Sequence, residues 1–318
     1  MGLSKFAVSA LLFESKRNPL GGSILTLGRQ DVWFDFNTLQ KIAKKYQFEL
    51  KEISNITLNQ KAFFSRNNFI NDKCLFSALG FDTVSSLDFS DNESPNIIFD
   101  LNSSGIPESL KNSFDVIIDG GTLEHVFHLP NAMKNIFAML KVGGRIIHIS
   151  PSSNLVDHGF YMFSPTLFFD YYTANRFEIN SINLIRYSQN ADTDPWDFYK
   201  YTPENFEKYS FGGLDGAMYG IFCIATKTDR STNDVIPIQG FYQNNPKNCE
   251  TNVESKRSIK KIIIERSRAD NFLSKFLSVC IKEYSQIRYK LSRMSKNNYC
   301  KGKKPDIEPV KELFWDRK

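Results

Sequence analysis

Apolar positions along this chain recur with two periods, every second residue or every third and fourth, and the clearest passage runs from Phe114 to Pro151. Phe114 to Ile118 is apolar except for Asp115 and stops at Asp119-Gly120-Gly121, which predicts a buried parallel strand ending in a turn. Ala132, Ile136, Phe137 and Leu140 then fall at helical spacing, Gly143-Gly144 closes that helix, and Arg145 to Ile149 returns to an extended pattern. Strand, helix and strand in this order make a crossover unit of an open sheet, with the polar group Leu123-Glu124-His125-Val126 at the end of its first strand.

The same periods predict the remaining elements. Ser4 to Ser15 and Phe36 to Tyr46 read as helices, and Ser23 to Leu27 reads as the first strand, ending at Gly28. Gln47 to Asn71 has no clear period and is expected to be an insertion. A short helix over Asp72 to Leu79 leads to a second strand, Thr83 to Leu87, and Asn96 to Phe99 is a third. Beyond Pro151 we expect a helix within Phe160 to Arg176, a sixth strand over Phe177 to Arg186 and a seventh over Met218 to Lys227. Asp192 to Gly213, rich in aromatics and proline, is expected to cover a pocket. Packing outweighs ligand recognition as the role of Trp196, Phe198, Tyr199 and Tyr201.

Length and composition add limits. A chain of 318 residues with 41% hydrophobic content can bury one large α/β core and an appendage. No apolar run approaches the roughly twenty residues that cross a bilayer, and the start lacks the order of a secretory signal, so a cytoplasmic location is expected. The five cysteines lie without metal-ligand spacing and read as reduced thiols, and no metal is expected. The net charge of +5 hides an asymmetry. Residues 1–254 carry 22 Lys and Arg against 28 Asp and Glu, whereas residues 255–304 carry 15 against 3.

Three parts are therefore expected: a catalytic domain over 1–229, a polar linker over 230–254, and a basic amphipathic helical tail over 255–318. The tail has an apolar stripe that can pack on the protein's own body, on a second copy, or on an anionic membrane surface at the inner face. No nucleic-acid recognition motif accompanies its charge, so nucleic acid is not an expected partner.

Leu123-Glu124-His125-Val126 followed by Leu140-Lys141-Val142-Gly143-Gly144 resembles the class I S-adenosylmethionine-dependent methyltransferases that act on small molecules. The resemblance spans about residues 20–228 and is most specific between Asp88 and Pro151. It implies a Rossmann-like α/β fold, a seven-stranded mostly parallel sheet with helices on both faces, its last two strands forming an antiparallel hairpin. It also implies S-adenosylmethionine as cofactor and a small-molecule or glycan acceptor, with polysaccharide biosynthesis as one setting. Carried over by position, Gly28, Arg29 and Gln30 would hold the methionine part, Asp88 and Phe89 the ribose, and Asp100 and Leu101 the adenine, while Asp119 and Gly120 would lie nearest the sulfonium. A carboxylate suits the ribose because it accepts from two hydroxyls at once.

Two features stand apart from the family pattern. The first loop, Thr26-Leu27-Gly28-Arg29-Gln30-Asp31-Val32, keeps only the first glycine of an acid-x-Gly-x-Gly-x-Gly run, and Asp31 is expected to substitute for the missing acid as the carboxylate that meets the ammonium. The interval from first to second strand is also long. A chain that kept the fold and lost the cofactor, serving as a binding or scaffold module, is the alternative. Methyl transfer needs alignment more than acid or base groups. A hydroxyl acceptor would still profit from a base, for which His125 is the candidate, against the plainer role of capping the next helix. His148, between Ile147 and Ile149, reads as packed, and His158 belongs to a loop suited to the acceptor.

Overall fold

A computed structural model describes residues 2–203, 205–210, 212–243, 304–305 and 307–310. Its elements in chain order are α1 (Lys5–Ser15), β1 (Gly22–Leu27), β2 (Asp31–Asp35), α2 (Phe36–Lys45), α3 (Ala62–Arg66), β3 (Phe69–Asn71), α4 (Asp72–Ala78), β4 (Phe81–Asp88), β5 (Ile97–Ile98), β6 (Phe114–Asp119), α5 (Leu129–Met139), β7 (Leu140–Ser153), α6 (Pro165–Ala174), β8 (Glu178–Tyr187), β9 (Asp197–Lys200), β10 (Met218–Thr226) and α7 (Gly240–Gln243).

Eight of these strands form one sheet in the order β5-β4-β1-β6-β7-β10-β8-β9. β5, β4, β1, β6 and β7 pair in parallel, whereas β10 runs antiparallel to both β7 and β8. The seven strands predicted from the sequence thus lie in the order third, second, first, fourth, fifth, seventh, sixth, with only the seventh reversed among them. This is the strand order of the class I methyltransferase fold.

The strand pattern assigns residues to faces. Ile24, Val116, Ile118, Ile147 and Ile149 point into one core with α1, α2 and α4, while Leu25, Ile117 and Ile146 point into the other with α5 and α6. Successive side chains leave a strand on opposite sides, so the near-continuous apolar runs of β6 and β7 are what a sheet covered on both faces requires. Side-chain caps start the helices: Ser4 for α1, Asp35 for α2, Asn71 for α4 and Ser164 for α6 each accept a hydrogen bond from a backbone N–H of the first turn.

Two expectations change. The segment expected to cover a pocket instead supplies an eighth strand, β9, at the sheet edge, where Trp196, Phe198 and Tyr199 are buried. Period-two alternation over four residues was too short a signal to separate an edge strand from an aromatic loop. The long interval between first and second sheet strands holds β2, α2, α3 and β3, with β2 and β3 paired in a separate two-stranded sheet. α4, whose start meets the loop after β1, then enters β4.

The contacts divide the chain into two units, one of Met1–Thr202, Ala217–Pro237 and Ile307–Lys318, the other of Pro203–Gly216 and Ile238–Asp306. In the first, the Val310 N–H donates to the Phe198 carbonyl on β9. In the second, the described residues include the helical turn Glu207–Tyr209 and α7. The expected linker from 244 onward and nearly all of the basic tail lie outside the described residues. Among the described residues no helix is long and apolar enough to cross a membrane.

Candidate active site

The parallel strands end together. Register sets Leu27 beside Leu87 on one side and beside Asp119 on the other, and Asp88 beside Ile98, so Gly28, Asp88 and Asp119 share one edge. Small ligands of open α/β sheets bind at this carboxyl edge, because the strand order reverses direction about β1 and the covering helices diverge there.

Gly28 adopts φ +70°, and a side chain there would meet Thr122 Oγ1 at 3.2 Å and Asp88 Oδ2 at 3.9 Å. Its N–H donates to the Leu87 carbonyl, and Thr122 Oγ1 donates to the Leu27 carbonyl at 2.6 Å, which ties the ends of β1, β4 and β6 together. Asp88 accepts at Oδ1 from the Ser90 N–H, leaving Oδ2 without a hydrogen bond among the described residues. Phe89 beside it is 72% exposed, an unusual state for a phenylalanine and one that leaves its ring free to cover a ligand. Asp100 turns its own loop by accepting from the Asn102 N–H and side-chain amide, while Leu101 is buried under α5.

The substituted first loop takes its own path. Arg29 turns to Asp72 at the start of α4, at 2.8 Å, and the Gln30 N–H points to the same carboxylate. The Gln30 side chain is buried and donates from Nε2 to the Leu27 carbonyl at 2.9 Å. It lies so close over Gly120 that any side chain at Gly120 would collide with its Oε1, an oxygen that accepts no hydrogen bond among the described residues. Asp31, the acid nearest to the missing one, is already occupied by Asn59 Nδ2 at 2.8 Å and Lys61 Nζ at 2.7 Å. A cavity of about 610 Å³ opens beside this loop, walled by Arg29, Asp31, Lys61, Asp72 and Glu93 among others, but neither Gly28, Asp88, Asp100 nor His125 lines it.

Asp119 faces inward rather than toward the cleft. Oδ1 accepts from the N–H groups of Thr122 and Leu123, and Oδ2 meets His148 Nδ1 at 2.8 Å and Ser150 Oγ at 3.2 Å. His148 Nε2 meets the Tyr172 hydroxyl at 2.6 Å, and all three residues are buried. With the Tyr172 phenol donating to Nε2, Nδ1 carries the proton and donates to Asp119. His148 is thus a packed strand residue, as its apolar neighbours implied. The carboxylate of Asp119 fixes the turn that carries Leu123–His125 and is spent on its own donors, which leaves the backbone of Asp119 and Gly120 at the cleft.

That turn projects His125 outward, with 49% of its side chain exposed, while Glu124 points in and is fully buried. The loop after β7 brings His158 opposite, its Nε2 3.6 Å from Glu124 Oε1, and His125 Nε2 lies 3.9 Å from the same oxygen. Burial, with the charge of Asp119 added, pushes the Glu124 carboxyl up to about 7. Burial first and then each other's proximity hold His125 below its ordinary value, and burial does the same to His158, so both rings are neutral at pH 7. Phe127 and Phe160 form an exposed rim beside this group, their rings meeting edge to face at 5.6 Å, and Met162, two positions on, is exposed as well. The sequence singled out His125 and associated His158 with the acceptor. Glu124 as the group joining them was missed; the signal was a glutamate directly after a buried strand's glycine turn, followed by a second histidine after the next strand.

No protein-family model and no curated protein matches the sequence. Among solved structures it is similar to a SAM-dependent methyltransferase from Methanosarcina mazei, at 12% identity over 65% of this chain and 92% of that one, with a TM-score of 0.35. It is likewise similar to one from Archaeoglobus fulgidus, at 13% identity over 70% of this chain and 95% of that one (TM-score 0.34). A third is an O-methyltransferase of a Brevibacillus brevis trans-AT polyketide synthase crystallised with S-adenosyl-L-homocysteine, at 11% identity over 71% and 73% (TM-score 0.35). The order and direction of the strands, with Gly28, Asp88 and Asp119 at one carboxyl edge, give this chain the class I methyltransferase fold.

Proposed function

We propose that this protein binds S-adenosylmethionine at the carboxyl edge of its sheet and transfers the methyl group to a small-molecule acceptor, of which a sugar or glycan hydroxyl is one class. The observation that carries the reading is a pair of acceptors flanking Gly28, neither of which takes a hydrogen bond among the described residues: Oδ2 of Asp88 and the buried Oε1 of Gln30. A buried polar atom without a partner costs free energy unless something supplies the missing bond. The ribose hydroxyls suit Asp88, and the ammonium of the methionine part suits Gln30 Oε1. Gln30 then stands in for the acid usual in that loop, which Asp31 cannot do while Asn59 and Lys61 hold it. Phe89 covers the base from outside, and the Asp100-Leu101 turn bounds it.

When bound, the cofactor supplies an electrophilic methyl on a sulfonium, whose departing sulfur keeps the bonding pair and becomes a neutral thioether. The chain's own task is alignment and proton removal. Its exposed rim of Phe127 and Phe160 suits the apolar or ring face of an acceptor. Neutral His125 stands at that rim to take the acceptor's proton as the new O–C bond forms.

Calorimetric titration with S-adenosylmethionine and S-adenosylhomocysteine tests the reading. Intact protein should bind both, and Asp88→Ala should lose at least about tenfold in affinity, the worth of one charge-assisted contact. Absence of binding by folded protein would replace methyl transfer with a scaffold role for the fold.

A further inference from the structure

Glu124 presents an anomaly that the methyl-transfer reading does not absorb. Both of its carboxylate oxygens are buried and accept no hydrogen bond among the described residues, and His158 Nε2, also buried, has no hydrogen-bond partner among them either. No lysine or arginine among the described residues pairs with Glu124; among them its ion-pair partners are His125 and His158. At 3.9 and 3.6 Å the two imidazole nitrogens are too far for good hydrogen bonds to that oxygen. They are close to the spacing of ligands that share one ion. Two donors each about 2.1 Å from a tetrahedral cation stand about 3.4 Å apart.

We infer that Glu124, His125 and His158 form a site for a divalent transition-metal ion of the zinc class, open at its fourth position to the acceptor cleft. One ligand atom from each residue lies within 4.8 Å of the others. Two imidazoles and a carboxylate are a donor set that zinc and its first-row neighbours favour over magnesium or calcium. The scaffold around the set is fixed by the backbone. Asp119 holds the turn of Leu123–His125, and the Phe160 and Tyr161 N–H groups both donate to the Glu124 carbonyl. Gly159 lets the second loop approach, since a Cβ there would stand 2.8 Å from that carbonyl oxygen and 3.0 Å from Glu124 Cγ. His125 is half-exposed at the open side of the set. An ion at this point supplies the positive charge that the buried carboxylate lacks. Such a site keeps the cofactor reading and replaces the proton-accepting role given to His125 in methyl transfer: with the ion bound His125 is a ligand, and an acceptor hydroxyl in the fourth position is acidified by the ion and releases its proton to water.

The site does not depend on cofactor binding, so its test is run without S-adenosylmethionine. Chelator-treated full-length protein is titrated with Co²⁺ and followed by its visible d–d absorption, then back-titrated with Zn²⁺. One Co²⁺ per chain should bind and be displaced by Zn²⁺. His158→Ala and Glu124→Gln each remove a ligand and should weaken binding by well over tenfold, since loss of a merely supporting residue already costs about 10–100-fold. His128→Ala, an exposed histidine of the same loop, should leave binding unchanged. Circular dichroism confirms that each variant is folded. No d–d bands in the intact protein, bands that persist in His158→Ala, or intense thiolate charge-transfer bands from a cysteine site would each overturn the assignment. Calorimetry with S-adenosylmethionine reads the cofactor site separately, so either can fail alone.

Discussion

Tyr171 and Tyr172 are adjacent on α6, both have buried hydroxyls, and they should respond in opposite ways to loss of those hydroxyls. The Tyr172 hydroxyl meets His148 Nε2 at 2.6 Å, in a chain that continues through Nδ1 to Asp119. Tyr172→Phe keeps the ring and its contact with Phe177, at 4.9 Å between centroids, but leaves a fully buried imidazole nitrogen with no donor. Such an orphaned acceptor costs about 1–3 kcal/mol. In a domain of this size each kcal/mol moves the midpoint by about 2–4 °C, so a loss of about 2 kcal/mol lowers Tm by about 4–8 °C. The Tyr171 hydroxyl is buried and has no hydrogen-bond partner among the described residues. Tyr171→Phe removes an uncompensated polar group and should leave stability unchanged or raise it by about 1 kcal/mol. Thermal and urea unfolding of both variants beside the parent protein is the assay. A parent-like melt for Tyr172→Phe, or equal losses in the two variants, would refute the claim that the hydroxyl bond to His148, rather than ring packing, is what matters on α6.

Three further outcomes are expected. Lys227 Nζ donates to the Phe137 and Leu140 carbonyls at 2.8 and 2.6 Å at the end of α5, so Lys227→Met should cost about 2–3 kcal/mol in urea unfolding despite its similar volume. Gly159→Ala pushes the His158 loop off the Glu124 carbonyl; Co²⁺ affinity should fall about tenfold while the overpacking costs about 1–3 kcal/mol in stability. Burial pushes the Asp115 carboxyl up, but hydrogen bonds from Lys141 and Ser23 outweigh it and hold the group below its ordinary 3.8. Its stabilisation is therefore present above that value and lost as pH falls through the depressed one, and Asp115→Asn should flatten the acid limb of a stability profile read by fluorescence.

The sheet was legible because burial on two faces demands apolar strands, and β1, β6, β7 and β10 carry such runs. The resemblance of Leu123–Val126 and Leu140–Gly144 to one family then implied a mostly parallel sheet closed by an antiparallel hairpin, while the strand order came from the structure. β9 was not legible, since four residues of alternation weigh little against a flanking proline and aromatics that also suit a loop. The pairing of β2 with β3 was hidden for another reason: its partners lie far apart in sequence, and backbone pairing leaves no periodic trace in residues whose side chains face mixed surroundings. Of the proposed site, Gly28 and Asp88 lie at the ends of β1 and β4 as the sequence marked them, and His125 lies in the turn after β6. Asp119 was expected beside the sulfonium on the same ground, but its carboxylate turns inward because His148, Ser150 and two backbone N–H groups converge on it.

By itself the sequence determined what local chemistry fixes: which runs are buried, where glycine permits a turn, and which polar residues end the strands. Tertiary structure alone decided which partners each of those residues meets. Gln30 became a buried acceptor over Gly120 because α4 captured Arg29 and the Gln30 N–H through Asp72, more than forty positions along the chain. Glu124, His125 and His158 became one cluster only because β7 returns beside β6 and its outgoing loop crosses the turn after it. Periodicity registers the face on which a residue lies, whereas convergence depends on strand order and loop path, which no local pattern records.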